Sequence, residues 1–136
     1  MELRIASGAY AQILRHAAAD PAREVCGLLF GDDGRISTAE RTANVHPDPA
    51  RFFEVDPAAL FAALRRERAG GPRLIGHYHS HPNGRVEPSI DDAASVGPSS
   101  GRLWLIVARG EIAAFRAWQG GEILERFDRV ALAVMD

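Results

Sequence analysis

The sequence predicts a mixed α/β fold with helices laid against one sheet. Two segments carry apolar residues at helical spacing behind a helix-starting residue, several short apolar runs are closed by turn residues, and a strand pair flanks a tight turn near the end. With 136 residues, 14.7 kDa, 46% hydrophobic and 25% charged side chains, residues 1–136 read as one domain.

Ser7 opens a first helix over residues 8–19, where Ile13, Leu14 and Ala17 recur at helical spacing and Asp20-Pro21 stops the run. Residues 25–30, Val-Cys-Gly-Leu-Leu-Phe, are apolar and too short for a helix, so they read as a buried strand turned by residues 31–34. Residues 35–45 return as its more polar partner, ended by His46-Pro47-Asp48-Pro49. Asp56 caps a second helix with Pro57 in its first turn; Leu60, Phe61 and Leu64 form the buried stripe, and residues 69–72, Ala-Gly-Gly-Pro, close it. A strand follows over residues 73–79. Ser89 with Asp92 three residues on starts a short helix to about residue 94. Strands 102–108 and 112–118 flank the turn Arg109-Gly110-Glu111, residues 119–121 form another turn, and the tail from Glu122 reads as strand or helix.

Sixteen basic against eighteen acidic residues leave a net charge of −2, which offers no excess for a phosphate backbone or an anionic membrane. Nucleic acid is excluded as an expected partner. The apolar runs fall far short of the about 20 residues that span a bilayer. Residues 1–5 lack a basic leader, and Cys26 is the single cysteine, so a reducing cytoplasm is expected. All sixteen basic residues are Arg, with abundant Ala, Gly and Pro, the composition of a GC-rich bacterial gene.

Chemistry concentrates in Gly76-His77-Tyr78-His79-Ser80-His81-Pro82, which holds three of the five histidines at alternate positions. In an extended segment such residues share a face about 6.6 Å apart, so two imidazoles can converge on one ion. Parity leaves two pairs open, His77 with His79 or His79 with His81. Pro82 ends regular pairing and places the later pair at the strand mouth. Catalytic zinc takes three protein ligands and leaves one position open. Glu87, Asp91 and Asp92 are the nearest carboxylates downstream, and Asp92, in the first turn of a helix, can project back toward the strand end.

His79-Ser80-His81-Pro82, six residues, then Ser89-Ile90-Asp91-Asp92 resembles the signature of the JAMM metallopeptidases, also called MPN+ or JAB domains. Glu24 before the apolar run Val25-Cys26-Gly27-Leu28-Leu29-Phe30-Gly31 resembles their upstream element, and the likeness covers nearly the whole chain. The resemblance implies a mixed, curved β-sheet flanked by helices, with a cytidine-deaminase-like architecture. It implies Zn2+ bound by His79, His81 and Asp92 with water as fourth ligand, Glu24 as general base, and Ser89 stabilising the oxyanion. The implied reaction is hydrolysis of a peptide or isopeptide bond after the C-terminal Gly of a ubiquitin-like protein. No segment is long enough for the ubiquitin-gripping insertions of eukaryotic members. The chain thus resembles the compact prokaryotic type, some of which act on sulfur-carrier proteins ending in Gly-Gly.

Without the resemblance, Glu24 reads as a solvated residue before a strand and Ser89 as a helix cap with Asp92 as its reciprocal partner. Cys26 reads as a small buried hydrophobe, His16 and His46 as surface or turn residues, Trp104 and Trp118 as core or edge aromatics, and Arg85 as a solvated loop residue. A metallo-β-lactamase-like site fails on spacing after His81, and an amidohydrolase barrel needs about 250 residues. A two-His, one-carboxylate iron site would leave Glu24 and the Ser-x-x-Asp spacing as coincidences. The alternative from another class is a non-catalytic MPN-type scaffold.

Overall fold

The computed structural model describes residues 2–96 and 102–135. A strand not foreseen in the sequence, β1 (Glu2–Ala6), runs directly into helix α1 (Ser7–Ala19). Its five residues alternate, with Leu3 and Ile5 buried and Glu2 and Arg4 exposed, a signal too short to stand out against the helix that follows. Strands β2 (Cys26–Asp32) and β3 (Arg35–Thr42) form the expected hairpin, and β3 stops three residues earlier than anticipated. Helix α2 (Pro57–Arg68) follows, with the Asp56 carboxylate accepting a hydrogen bond from the Ala58 backbone N–H as predicted. Then come β4 (Arg73–Ser80), the short helix α3 (Ile90–Ser95), and strands β5 (Arg102–Ala108), β6 (Glu111–Gly121) and β7 (Glu125–Met135).

The expected turn at residues 119–121 lies inside β6 instead. Pairing of β6 with β7 shifts register between Ala117 and Gly121, and Gly120 takes a φ of 95° there. The two glycines absorb an irregularity within a strand. The tail is a strand, and it gives the sheet its largest departure from the simple expectation: β1 pairs in parallel with both β7 and β3, closing the sheet in the order β1-β3-β2-β4-β5-β6-β7.

Helices cover both faces of that curved sheet. Ala9 and Ile13 of α1 pack with Leu29, Ile36, Leu105 and Val107. On the other face, Leu60 and Leu64 of α2 meet Leu28, Phe30 and Leu74 with Ala63 between them, whereas Phe61, expected in the buried stripe, points away and is exposed. Ala93 of α3 packs against a cluster holding Trp104, Ile106, Phe115 and Phe127. Each large side chain so buried contributes about 1.5–3 kcal/mol. Gly27 is needed for this packing: a Cβ there would collide with the Tyr78 ring on β4 and the Glu40 carbonyl on β3. Cross-strand register sets Cys26 opposite His79, and Leu28 and Trp104 on either side of His77, so these residues share the face that carries α2 and α3. Among the described residues no helix is long and apolar enough to cross a membrane.

Candidate metal centre

The site forms where β4 ends. Ser80 N–H bonds to the Val25 carbonyl and His81 N–H to the Val107 carbonyl, each at 3.0 Å. The chain after β2's neighbour is thus anchored between the lead-in to β2 and the end of β5. Pro82 then offers no donor, and the chain turns away. Opposite it stands the first turn of α3, where Ser89 and Asp92 form a capping box: Asp92 N–H donates to Ser89 Oγ at 3.0 Å and Ser89 N–H donates to Asp92 Oδ2 at 2.9 Å. This exchange holds Asp92 facing the strand end.

Three side chains converge there. His79 Nε2 lies 3.1 Å from Asp92 Oδ1, His81 Nε2 lies 3.1 Å from Asp92 Oδ2, and the two Nε2 atoms are 3.0 Å apart. All three residues are buried. Ligands about 2.0–2.1 Å from a tetrahedral zinc stand roughly 3.3 Å from one another, so this triangle has the chemistry and nearly the spacing of a metal-binding face. His81 Nδ1 meets the Arg85 carbonyl at 2.7 Å. A proton on Nδ1 satisfies that bond and leaves the Nε2 lone pair facing the site, the usual outer support of a metal-binding imidazole. His79 Nδ1 is buried without a partner, but Phe53 stacks on the His79 ring at 4.2 Å and 15° and holds its plane.

Glu24 completes the group from the irregular segment just before β2. One of its carboxylate oxygens and the ring nitrogens of His79 and His81 all lie within 4.8 Å of one another. That makes two possible trios, and the tighter one contains Asp92, which approaches both imidazoles at 3.1 Å. Glu24 Oε1 is buried without a hydrogen-bond partner. Burial pushes the Glu24 carboxyl up to about 8; Asp92 and Asp91 add to the rise and His81 opposes it. For Asp92, burial acts in the same upward direction, yet the His79 and His81 imidazoles and the Ser89 N–H outweigh it and hold the carboxyl well below the usual range. The two neighbouring carboxyls are thus driven in opposite directions, Asp92 toward its charged form and Glu24 toward its neutral one. Burial lowers His79, and Asp92 opposes that shift. At His81 burial also acts downward, but Asp92 and the Arg85 carbonyl prevail and raise it.

The structure therefore brings Glu24, His79, His81, Ser89 and Asp92 to one place and leaves His77 outside it. The His77 ring packs edge-on against Trp104 at 4.4 Å and tilted against Phe53 at 5.3 Å, with its Nε2 buried and unpartnered. Burial lowers its pKa to about 3, so it is a neutral packing residue. A cleft of about 180 Å³ lined by Glu24, Arg51, Phe53, Asp91 and Asp92 gives access to the group.

The remaining readings divide. Cys26 is fully buried beside Thr42, and burial raises its thiol, as suits a small hydrophobe. Trp104 is buried, and exposed Trp118 bonds Asp128 Oδ2 through its indole N–H at 2.6 Å. The Arg85 side chain is exposed, though its carbonyl serves His81. His16 is a correction: it is buried, not a surface residue, with Nδ1 2.6 Å from the Tyr78 hydroxyl. The face that α1 presents to β4 explains it, since Tyr78 points opposite to His77 and His79 and meets α1. Sequence reading also missed Ser80, whose Oγ accepts from Val25 N–H at 2.8 Å and donates to the Arg23 carbonyl at 3.4 Å. Those bonds flank Glu24. Phe53 and Asn44 were likewise missed, because both lie in a stretch with no periodicity.

Two imidazoles, one carboxylate and a second, elevated carboxyl at a cleft in a closed α/β sheet define a class, the JAMM-type metallopeptidases. The sequence model described as prokaryotic homologs of the JAB domain matches residues 6–119. The chain belongs to that family. A desampylase of Haloferax volcanii is 34% identical over 129 residues, covering 90% of this chain and 92% of that protein. A probable TtuB-protein conjugate cleaving protease of Thermus thermophilus is 32% identical over 90 residues, covering 66% of this chain and 60% of that protein. The crystal structure of a JAB1/MPN domain protein from Archaeoglobus fulgidus shares the fold, with a TM-score of 0.62 at 18% identity and 98% of each chain covered.

Proposed function

We propose that this chain is a zinc-dependent peptidase that cleaves the peptide or isopeptide bond after the C-terminal Gly of a ubiquitin-like or sulfur-carrier protein. The observation that carries the reading is the triangle of His79, His81 and Asp92 donor atoms at 3.0–3.1 Å with the unpartnered, buried carboxyl oxygen of Glu24 beside it. The protein conjugate named for the Thermus thermophilus relative, together with the likeness to a desampylase, supports the substrate class.

His79, His81 and Asp92 would hold the zinc, which supplies Lewis acidity that polarises a carbonyl and brings the pKa of water toward neutrality. Glu24, whose carboxyl stands beside the two imidazoles with Oε1 buried and unpartnered, takes the proton from the attacking water in its carboxylate form, which a dication held beside it would favour, and passes it to the leaving amine. The Ser89 hydroxyl accepts from the Asp92 N–H and retains its own proton, which it donates to the oxyanion of the tetrahedral intermediate. The Arg85 carbonyl and the Phe53 ring keep the two imidazoles in place. A Gly-Gly end, which carries no side chains, is the segment that would enter the cleft of about 180 Å³ beside Phe53, Asp91 and Asp92.

The test is to measure zinc per chain and then incubate the protein with a sulfur-carrier protein joined through its terminal Gly to a lysine ε-amine. About one zinc per chain, with release of the carrier ending in free Gly-Gly that a chelator stops, supports the proposal. A zinc-loaded chain that leaves that conjugate and a matching ubiquitin-like conjugate intact puts the scaffold reading in front.

A further inference from the structure

We infer that Asn44 is the positioning residue that holds Glu24 for proton transfer, an inference resting on the hydrolytic reading above. Glu24 sits outside regular structure, between α1 and β2, where no ladder fixes it. With Oε1 unpartnered, the placement of its carboxyl depends on how the main chain is held. The segment from Asn44 to Val55 does the holding. Glu24 N–H donates to the Pro49 carbonyl at 2.8 Å, and Asn44 Nδ2 donates to the Glu24 carbonyl at 2.8 Å.

The Asn44 amide uses its whole hydrogen-bonding capacity in this place. Nδ2 also donates to the Phe52 carbonyl at 3.0 Å, and Oδ1 accepts from His46 N–H at 3.1 Å and Glu54 N–H at 3.0 Å. Backbone pairing of Asn44 with Val55, and of Val45 N–H with the Glu54 carbonyl at 3.0 Å, closes the base of the same loop. Phe53, next to the Phe52 carbonyl that Asn44 holds, is the residue stacked on His79. One side chain thus ties the main chain of Glu24 to the loop whose ring lies on a metal-binding imidazole. Its two donors set the distance between base and ligand set, and its two acceptors shape the loop. Aspartate in its place keeps the acceptors and loses the donors, which separates the two tasks.

The experiment compares zinc-loaded wild-type protein with Asn44→Asp and Asn44→Ala on the carrier-lysine conjugate. In both variants zinc per chain stays at the wild-type value, KM changes by less than about threefold, and kcat falls about 100-fold, the loss that roughly 1 Å of misplacement produces. In parallel, the 13C resonance of the Glu24 carboxyl, assigned by its disappearance in Glu24→Gln, shifts and broadens in both variants. A kcat within about threefold of wild type, or an unmoved Glu24 resonance, overturns the role of Asn44. Wild-type protein that takes up zinc and cleaves nothing counts against the hydrolytic reading, while the carboxyl resonance still decides whether Asn44 positions Glu24. If Asn44→Ala does not fold, Asn44→Asp carries the test, because the loop's acceptor bonds remain.

Discussion

Glu24→Gln is expected to abolish hydrolysis while making the metal-free protein more stable at neutral and alkaline pH. Burial lifts the folded-state pKa of Glu24 from 4.5 to about 8, so the folded protein binds a proton that the unfolded chain has released. Stability from the neutral carboxyl is therefore fully present below pH about 4.5 and is lost as pH rises to about 8. Some 3.5 units at about 1.4 kcal/mol each set a ceiling near 5 kcal/mol; water reaching the carboxyl through the cleft reduces the expected loss to about 2–3 kcal/mol. Glutamine has the same shape and no charge to desolvate, so the variant escapes that loss. Urea unfolding in chelator at pH 5 and pH 8 measures it. Chelation matters because a dication beside Glu24 draws it back toward the ionised form. The midpoint difference between variant and wild type should grow by about 1–2 M urea between the two pH values. A difference that is flat with pH, or that shrinks at pH 8, refutes the claim that Glu24 is held against its charge.

Zinc content separates the histidines: His79→Ala and Asp92→Ala should each lose the metal, whereas His77→Ala, which removes a ring packed on Trp104 and Phe53, should keep about one zinc per chain. Ser89→Gly should cost only a few tenths of a kcal/mol, because glycine is a tolerable N-cap. Its kcat should nevertheless fall about 100-fold for want of the oxyanion donor; equal activity would reduce Ser89 to a cap. Tyr78→Phe strands His16 Nδ1 in the core and should lower unfolding stability by about 1–3 kcal/mol with zinc content unchanged, as chemical denaturation and metal analysis will show.

Much of the site was legible because its residues lie close in sequence and obey strong local rules. His79 and His81 share a strand face by parity, Pro82 marks the strand's end, and Ser89 with Asp92 is a helix start wherever it occurs. Glu24 had no such local signal; only the JAMM resemblance singled it out, since a glutamate before a strand is ordinarily solvated. Asn44, Phe53 and Ser80 were silent for a related reason. Their importance consists of bonds to partners distant in the chain, such as Ser80 to Val25 and Asn44 to Glu24, and no periodicity records those.

The same division runs through the fold. Elements with a strong repeat or cap, such as α1, α2, β2 and β5, were read with nearly their observed bounds, because their signals lie within a few turns or alternations. Closure of the sheet was not, since it depends on β1, five residues long, pairing with a β7 whose partner register lies some 130 residues away. The sequence by itself determined the mixed α/β class, the three helices and the clustering of His77, His79 and His81 ahead of the Ser89–Asp92 helix start. Tertiary structure alone decided that His79 with His81, rather than His77, meets Asp92, that His16 is buried against Tyr78, and that Glu24 is desolvated. The physical reason is that charge burial and donor convergence are properties of several segments at once, fixed only when packing brings them within a few ångströms.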